Sequence, residues 1–301
     1  MRTDPLKKIS RAFGLAAMAL GVLLLAGCPS KIPPLIQQFP EDPELNAEKV
    51  SGIIDQRAAS FQSLQGLGKV HIKNWEEQYK FSEVFAFSTP SKFRLETLGF
   101  LDQPVVFFIS DGSMLSLFSK KHNTLYRGVA SQKNLFQLSG INLSVEDMLL
   151  VFSGNPPRLP NINSEWGLPL PDRNQFYLER ISLPRNTLQR IVFNTQTHTI
   201  SGIREYMLSN GELTLNIVFD NYRALEGAYP IPEIIQIERP FDNVRVDIRY
   251  SDWQVNHAID EQDLFSFPPP PQAKLHILDA LESDIEPLDP FDEFRVKGEK
   301  E

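Results

Sequence analysis

The chain has one cysteine, Cys28, among 301 residues, which excludes a disulfide framework within the chain. Histidine is also scarce. His71, His122, His198, His257 and His276 are scattered, without metal-ligand spacing to one another or to acidic residues. No Gly-x-Ser-x-Gly motif occurs, and Gly66-x-Gly68-Lys69 lacks the remaining glycines of a phosphate loop. That stretch reads instead as a helix cap leading into a strand. Asp260, Glu261 and Asp263 lack the glycine-turned loop of a calcium site and read as a solvated turn. The expectation is a non-enzymatic protein with no metal and no soluble cofactor. Positive charge is in deficit too: 30 Lys and Arg stand against 38 Asp and Glu, a net charge of −8. Nucleic acid, whose phosphates demand a basic face, is therefore disfavoured as a partner. Broad electrostatic adsorption to anionic lipid is disfavoured by the same balance.

Long apolar runs are missing after the N-terminus, and the one that is present is short. Arg2, Lys7, Lys8 and Arg11 precede an uncharged stretch from Ala12 to Leu25. As a helix it spans roughly 21 Å, less than the ~30 Å hydrocarbon core of a bilayer. It reads as a removable signal segment rather than a membrane span. The run closes in Leu25-Ala26-Gly27-Cys28, which resembles the lipobox of bacterial lipoproteins. That resemblance implies cleavage after residue 27, a diacylglycerol on the Cys28 thiol and an N-acyl chain such as palmitate on the new amine. Several acyl chains at ~0.8 kcal/mol per buried methylene make such an anchor long-lived. Removing residues 1–27 takes away four basic residues and one acidic residue, leaving a net charge of −11.

Four segments are expected: a signal peptide over 1–27, a Pro-rich tether over 28–45, a folded domain over 46–278 and an acidic flexible tail over 279–301. Pro29, Pro33, Pro34, Pro40 and Pro43 keep the tether extended. Val50, Ile53, Ile54, Ala58 and Phe61 recur at three- and four-residue spacing, predicting one amphipathic helix over 46–64. Beyond Gly66 the period falls to two, with about six strands before residue 130. Asp111-Gly112 turns one hairpin. Ser144 caps a helix carrying Val145, Met148, Leu149 and Phe152; a short helix over 134–138 precedes it. Residues 158–172 read as a Pro-rich loop. Six more strands follow, two of them joined by Asn210-Gly211, until Pro268–Pro271 stops the sheet. The predicted class is mainly β (α+β): a curved antiparallel sheet or incomplete barrel of 11–12 strands covered by helices.

Within this frame, residues 92–157 resemble the LolA/LolB-like lipoprotein-localisation superfamily, and LolB most. The carrying residues are Phe93-Arg94-Leu95-Glu96, Thr97-Leu98-Gly99, Asp111-Gly112, Thr124-Leu125-Tyr126, Val145–Phe152 and Gly154-Asn155-Pro156. Val244–Trp253, Val255-Asn256, Ile259-Asp260 and Phe265 are similar to the LolA side. The resemblance implies an apolar cavity for acyl chains, lipid and acylated lipoprotein as cargo, and a periplasmic LolA-like carrier as partner. It also implies a membrane-contacting loop, with Leu98 at the matching position; Phe100 and Leu101 extend the tip and the usual preceding proline is absent. These three residues either meet the membrane or fold into the core. Likewise Tyr79, Phe81, Phe85, Phe87, Phe93, Phe107 and Phe108 either line a lipid cavity or fill a solid core.

Pro29 after the acylated cysteine favours the outer membrane by analogy with enteric sorting. The resulting expectation is a monomeric lipoprotein, facing the periplasm, that receives acylated cargo and inserts it into the outer membrane. The alternative is a non-carrier envelope lipoprotein, a scaffold or stress-sensing module that binds a protein partner.

Overall fold

A computed structural model describes residues 41–140, 142–224, 230–268, 270–279 and 292–296. The expected signal segment, Cys28 and most of the expected tether lie outside the described residues. Among the described residues, no helix is long and apolar enough to cross a membrane.

The first element is α1, Ala47–Ser60. Asn46 caps it, its side chain accepting from the Lys49 amide, and Val50 and Ile54 point into the core. The helix stops four residues short of the predicted end, because the next residues are claimed by the sheet. Gln62 O accepts from Thr89 N, and the Asn256 side chain accepts from the amides of Gln62 and Ser63.

Six strands follow as a meander: β1 (Ser63–Lys73), β2 (Gln78–Ser88), β3 (Lys92–Leu98), β4 (Pro104–Asp111), β5 (Met114–Ser119) and β6 (Thr124–Val129). Two helices, α2 (Gln132–Ser139) and α3 (Val145–Phe152), lead to a second meander. It comprises β7 (Ser164–Leu170), β8 (Gln175–Ser182), β9 (Thr187–Asn194), β10 (Ile200–Met207), β11 (Leu213–Arg223), β12 (Ile231–Arg239) and β13 (Val244–Val255). A short helix α4 (Glu261–Leu264) and strand β14 (Lys274–Ile277) complete the order. The sheet runs β14-β6-β5-β4-β3-β2-β1-β13-β12-β11-β10-β9-β8-β7. Every neighbouring pair is antiparallel except β14 on β6. The two meanders join through β1 and β13, and among the described residues the outer edges β14 and β7 do not pair. The class is therefore the expected curved, unclosed, mainly β sheet.

The strand count of 11–12 is corrected to 14 among the described residues. β7 was hidden in the Pro-rich stretch; as an edge strand it tolerates Pro169, whose missing N–H costs no ladder bond. β14 resumes the sheet after the prolines that were expected to end it. Gly66 and Gly68 are corrected as well: they lie inside β1, not at a helix end. A Cβ at Gly66 would stand 2.1 Å from Asp252 O on β13, so glycine admits the close approach of that strand, next to the bulge at Leu67/Gly68. The hairpin turns fall as expected, with Gly112 at φ 95° and Gly211 at φ 72°.

The core fills the concave face. Val50 and Ile54 of α1 and Met148, Leu149 and Val151 of α3 join inward residues of both meanders, including Phe87, Phe176, Phe193, Ile217 and Ile235. Ser144 caps α3 as predicted, its hydroxyl accepting from Asp147 N at 3.0 Å.

The convex face of β3–β6 is crossed by the segment after β13. Phe267 wedges between Phe107 and Phe118, with ring centroids 5.3 and 5.5 Å away. Arg94 and Arg127 donate to carbonyls of Leu264 and Phe267. Glu261, expected in a solvated turn, instead opens α4 and pairs with Lys92 at 2.6 Å. Two pieces of the stretch read as a free acidic tail are held to the body. Asp279 accepts from Val129 N and Asn134 Nδ2, and residues 292–296 meet β2.

Candidate functional site

Between the concave face and the α2–α3 connection lies a partly enclosed cavity of about 340 Å³, within the ~300–1,000 Å³ range of small-molecule sites. Alternation on the strands supplies its walls. β2 contributes Phe81, Phe85 and Phe87; β13 contributes Val246, Ile248 and Tyr250 from across β1. Leu143 and Phe152 form part of the helical side. Tyr250 is fully buried, and its hydroxyl donates to Phe152 O at 3.0 Å, tying floor to roof.

One wall residue breaks the apolar pattern. Glu83 sits between Phe81 and Phe85 on the inward face of β2 and accepts from Thr97 Oγ1 at 2.8 Å. Burial pushes its carboxyl up to about 8; the Thr97 hydrogen bond works the other way, and the nearby Glu96 charge adds to the rise. At neutral pH the group is a neutral acid inside an apolar wall. Glu205, also lining the cavity, is raised by desolvation, against a hydrogen bond from Gln189 Nε2 at 2.9 Å. Among the described residues, no group of three or more His, Cys, Asp or Glu is placed to hold a metal ion.

The sequence-predicted aromatics divide three ways. Phe81, Phe85, Phe87 and Phe108 line the cavity. Phe93 is fully buried beneath it, edge-on to Phe108 with centroids 5.0 Å apart, and Tyr79 is buried further along β2. Phe107 belongs to the other side of the sheet, against Phe118 and Phe267. Consecutive strand residues face opposite ways, so Phe107 and Phe108 never shared a wall. The β13 wall and Glu83 were missed; Val244, Val246, Ile248 and Tyr250 carry a period of two that pointed to them.

The lining reaches Ile72, Thr97, Arg239 and Val244, at the strand ends joined by the 74–77, 99–103 and 240–243 turns. Register puts these turns at one end of the sheet, since Lys73 pairs with both Gln78 and Arg245 and Leu98 pairs with Ser82. Their tips are apolar and exposed: Trp75 is 77% accessible, Phe100 87%, Leu101 74% and Phe241 75%. Folding of Phe100 and Leu101 into the core is thereby ruled out. Leu98 is half-buried on the outward side of β3. The tip holds two consecutive non-glycine residues in left-handed backbone, Leu101 at φ 57° and Asp102 at φ 55°. Such strain costs on the order of 1–2 kcal/mol per residue and gathers at functional sites.

Among the described residues, the structure is an unclosed, mainly antiparallel sheet around an apolar cavity, roofed by helices and rimmed with exposed apolar turns. No protein-family model and no curated protein matches the chain, but solved structures do. A domain described as outer membrane lipoprotein-sorting, from Vibrio parahaemolyticus, aligns with 73% of this chain and 97% of its own, at 15% identity and a TM-score of 0.52. A DUF1329 family protein from Desulfovibrio piger aligns over 73% and 96%, at 12% identity and a TM-score of 0.50. A LolA superfamily protein from Nitrosomonas europaea aligns over 74% and 98%, at 14% identity and a TM-score of 0.48. The chain thus shares its fold with the lipoprotein-sorting domain and the DUF1329 protein, in agreement with the fold that the resemblance of residues 92–157 implied.

Proposed function

We propose that the protein is a lipid-anchored envelope receptor. Held by acylated Cys28 at the periplasmic face of the outer membrane, it takes up the acyl chains of lipoproteins or lipids and releases them into the bilayer. The observation that carries this reading is the apolar cavity, whose lining runs to the end of the sheet where Trp75, Phe100, Leu101 and Phe241 stand exposed. Burying about fifteen methylenes is worth roughly 12 kcal/mol, in the cavity or in a bilayer alike. Transfer between the two is therefore close to balanced and needs no covalent chemistry. Trp75 suits the bilayer interface, where its apolar ring and its indole N–H are both satisfied, and Phe100, Leu101 and Phe241 add apolar surface beside it. A periplasmic LolA-like carrier fits as donor of the cargo, and a monomer suffices for the task.

The test uses protein beginning at Pro29, which retains every described element. It should bind an acyl-chain fluorophore one to one, and acylated peptide should displace it. Lipids co-purifying with this protein, identified by mass spectrometry, name the cargo class. Absence of both stoichiometric binding and co-purifying lipid refutes the reading. The scaffold reading draws on a separate observation, exposed Trp166 and Leu168 on edge strand β7. Leu98→Glu with Phe100→Glu separates the two, abolishing lipid delivery while leaving partner capture on β7 intact.

A further inference from the structure

β2 outruns β3. β1 pairs with β2 as far as Gln78, but β3 stops with Leu98 opposite Ser82. The β3-side edge of residues 78–81 is taken by a distant piece of the chain. Tyr79 and Arg295 form an antiparallel bridge, and Val296 N donates to Gln78 O at 2.7 Å. Phe294 lies against Phe81, ring centroids 5.5 Å apart. Arg295 stands 6.0 Å over the Tyr79 ring and pairs with Glu77 at 2.8 Å. Asp292 pairs with Lys121 and stands 3.7 Å from His122, both in the β5–β6 turn.

Two properties of this contact matter. Phe81 lines the cavity while Phe294, packed against the core beside it, does not, so the segment braces a cavity-wall ring. The contacts that hold it include half-exposed ion pairs, the Phe294–Phe81 ring contact and a short run of backbone pairing; exposed ion pairs of this kind are individually weak. We propose that the β3-side edge of β2 is a strand-addition site, and that residues 292–296 occupy it as a detachable latch. Docked, they hold Phe81 in place at the end of the cavity near the turns; released, they free that ring and let an acyl chain enter. This deepens the cavity's role as an acyl-chain site and rests on that reading.

Tyr79→Cys with Arg295→Cys tests it, in protein beginning at Pro29 and therefore without other thiols. Partners in an antiparallel bridge have Cα atoms roughly 4.5–5.5 Å apart, inside the range a disulfide spans. The probe is dansyl-labelled undecanoic acid, followed by stopped-flow fluorescence. The oxidised form should take up the probe at least about tenfold more slowly than the reduced form, as expected when the competent state is rarely populated. Glu77→Arg and Arg295→Glu, which need no oxidation, should each speed uptake, and the double reversal should restore the original rate. Equal rates for oxidised and reduced protein, with the charge reversals silent, overturn the latch and leave the cavity reading standing. No uptake by any form removes the cavity reading and the latch with it.

Discussion

Replacing Glu83 with Gln should make the protein more stable, and by an amount that grows with pH. The carboxyl ordinarily titrates near 4.5, but in the folded chain it is held up to about 8 by burial. Between those values the unfolded chain has lost this proton and the native chain keeps it. The native state therefore binds more protons, and stability falls as pH rises through that window. At 1.36 kcal/mol per pH unit the cost is about 1 kcal/mol at pH 5 and about 4 kcal/mol at pH 8, levelling off above. Gln keeps an oxygen to accept from Thr97 Oγ1 and has no proton to lose. Glu205 is raised in the same direction and stays in both proteins, so the difference between the two stability curves isolates Glu83. Urea unfolding of both proteins at a series of pH values reads that difference. The gap should widen by about 3 kcal/mol from pH 5 to pH 8. A gap that stays constant would show that Glu83 is ionised in the fold, and the physical account of the cavity wall would be wrong.

Probe affinity should also drop above pH 8 in the native chain, as a charge appears in the apolar wall, and stay flat in Glu83→Gln when measured by fluorescence titration. Leu98→Glu with Phe100→Glu should leave the melting temperature nearly unchanged, since Phe100 is exposed and Leu98 half-buried, while transfer of acylated peptide to vesicles is lost. Tyr250→Phe strands the buried Phe152 carbonyl and should cost about 1–3 kcal/mol in urea unfolding. Gly66→Ala pushes a methyl group against Asp252 O, so it should destabilise by more than about 2 kcal/mol, with β1 and β13 amides losing hydrogen-exchange protection first.

Most of the sheet was legible because its strands alternate and its hairpins carry their turn residues. Val70 and Ile72, Phe85 and Phe87, and Val246 and Ile248 announce their own faces, and Asp111-Gly112 and Asn210-Gly211 announce their turns. β7 and β14 escaped because proline counts against a strand only in the middle of a sheet, and edge position is not written locally. Parity alone would have separated Phe107 from Phe108 and set Glu83 inward beside Phe85. The pairing of β1 with β13 brings the second wall of the cavity opposite the first, and no local pattern encodes a contact between residues so far apart in the chain. Residues 292–296 carry no period at all; their place follows from where β3 ends.

The unpaired edges β14 and β7 give the interior a property that a closed barrel lacks. Closure fixes internal diameter through strand number and shear. Among the described residues no strand pairing spans the seam, so the girth of the interior is set by twist and by how far the side chains on the inner face are wedged apart. The sheet can flatten or curl with each ladder intact. Under the acyl-chain role proposed above, capacity becomes an elastic quantity rather than a fixed volume, set by curvature to suit occupants of different length and branching.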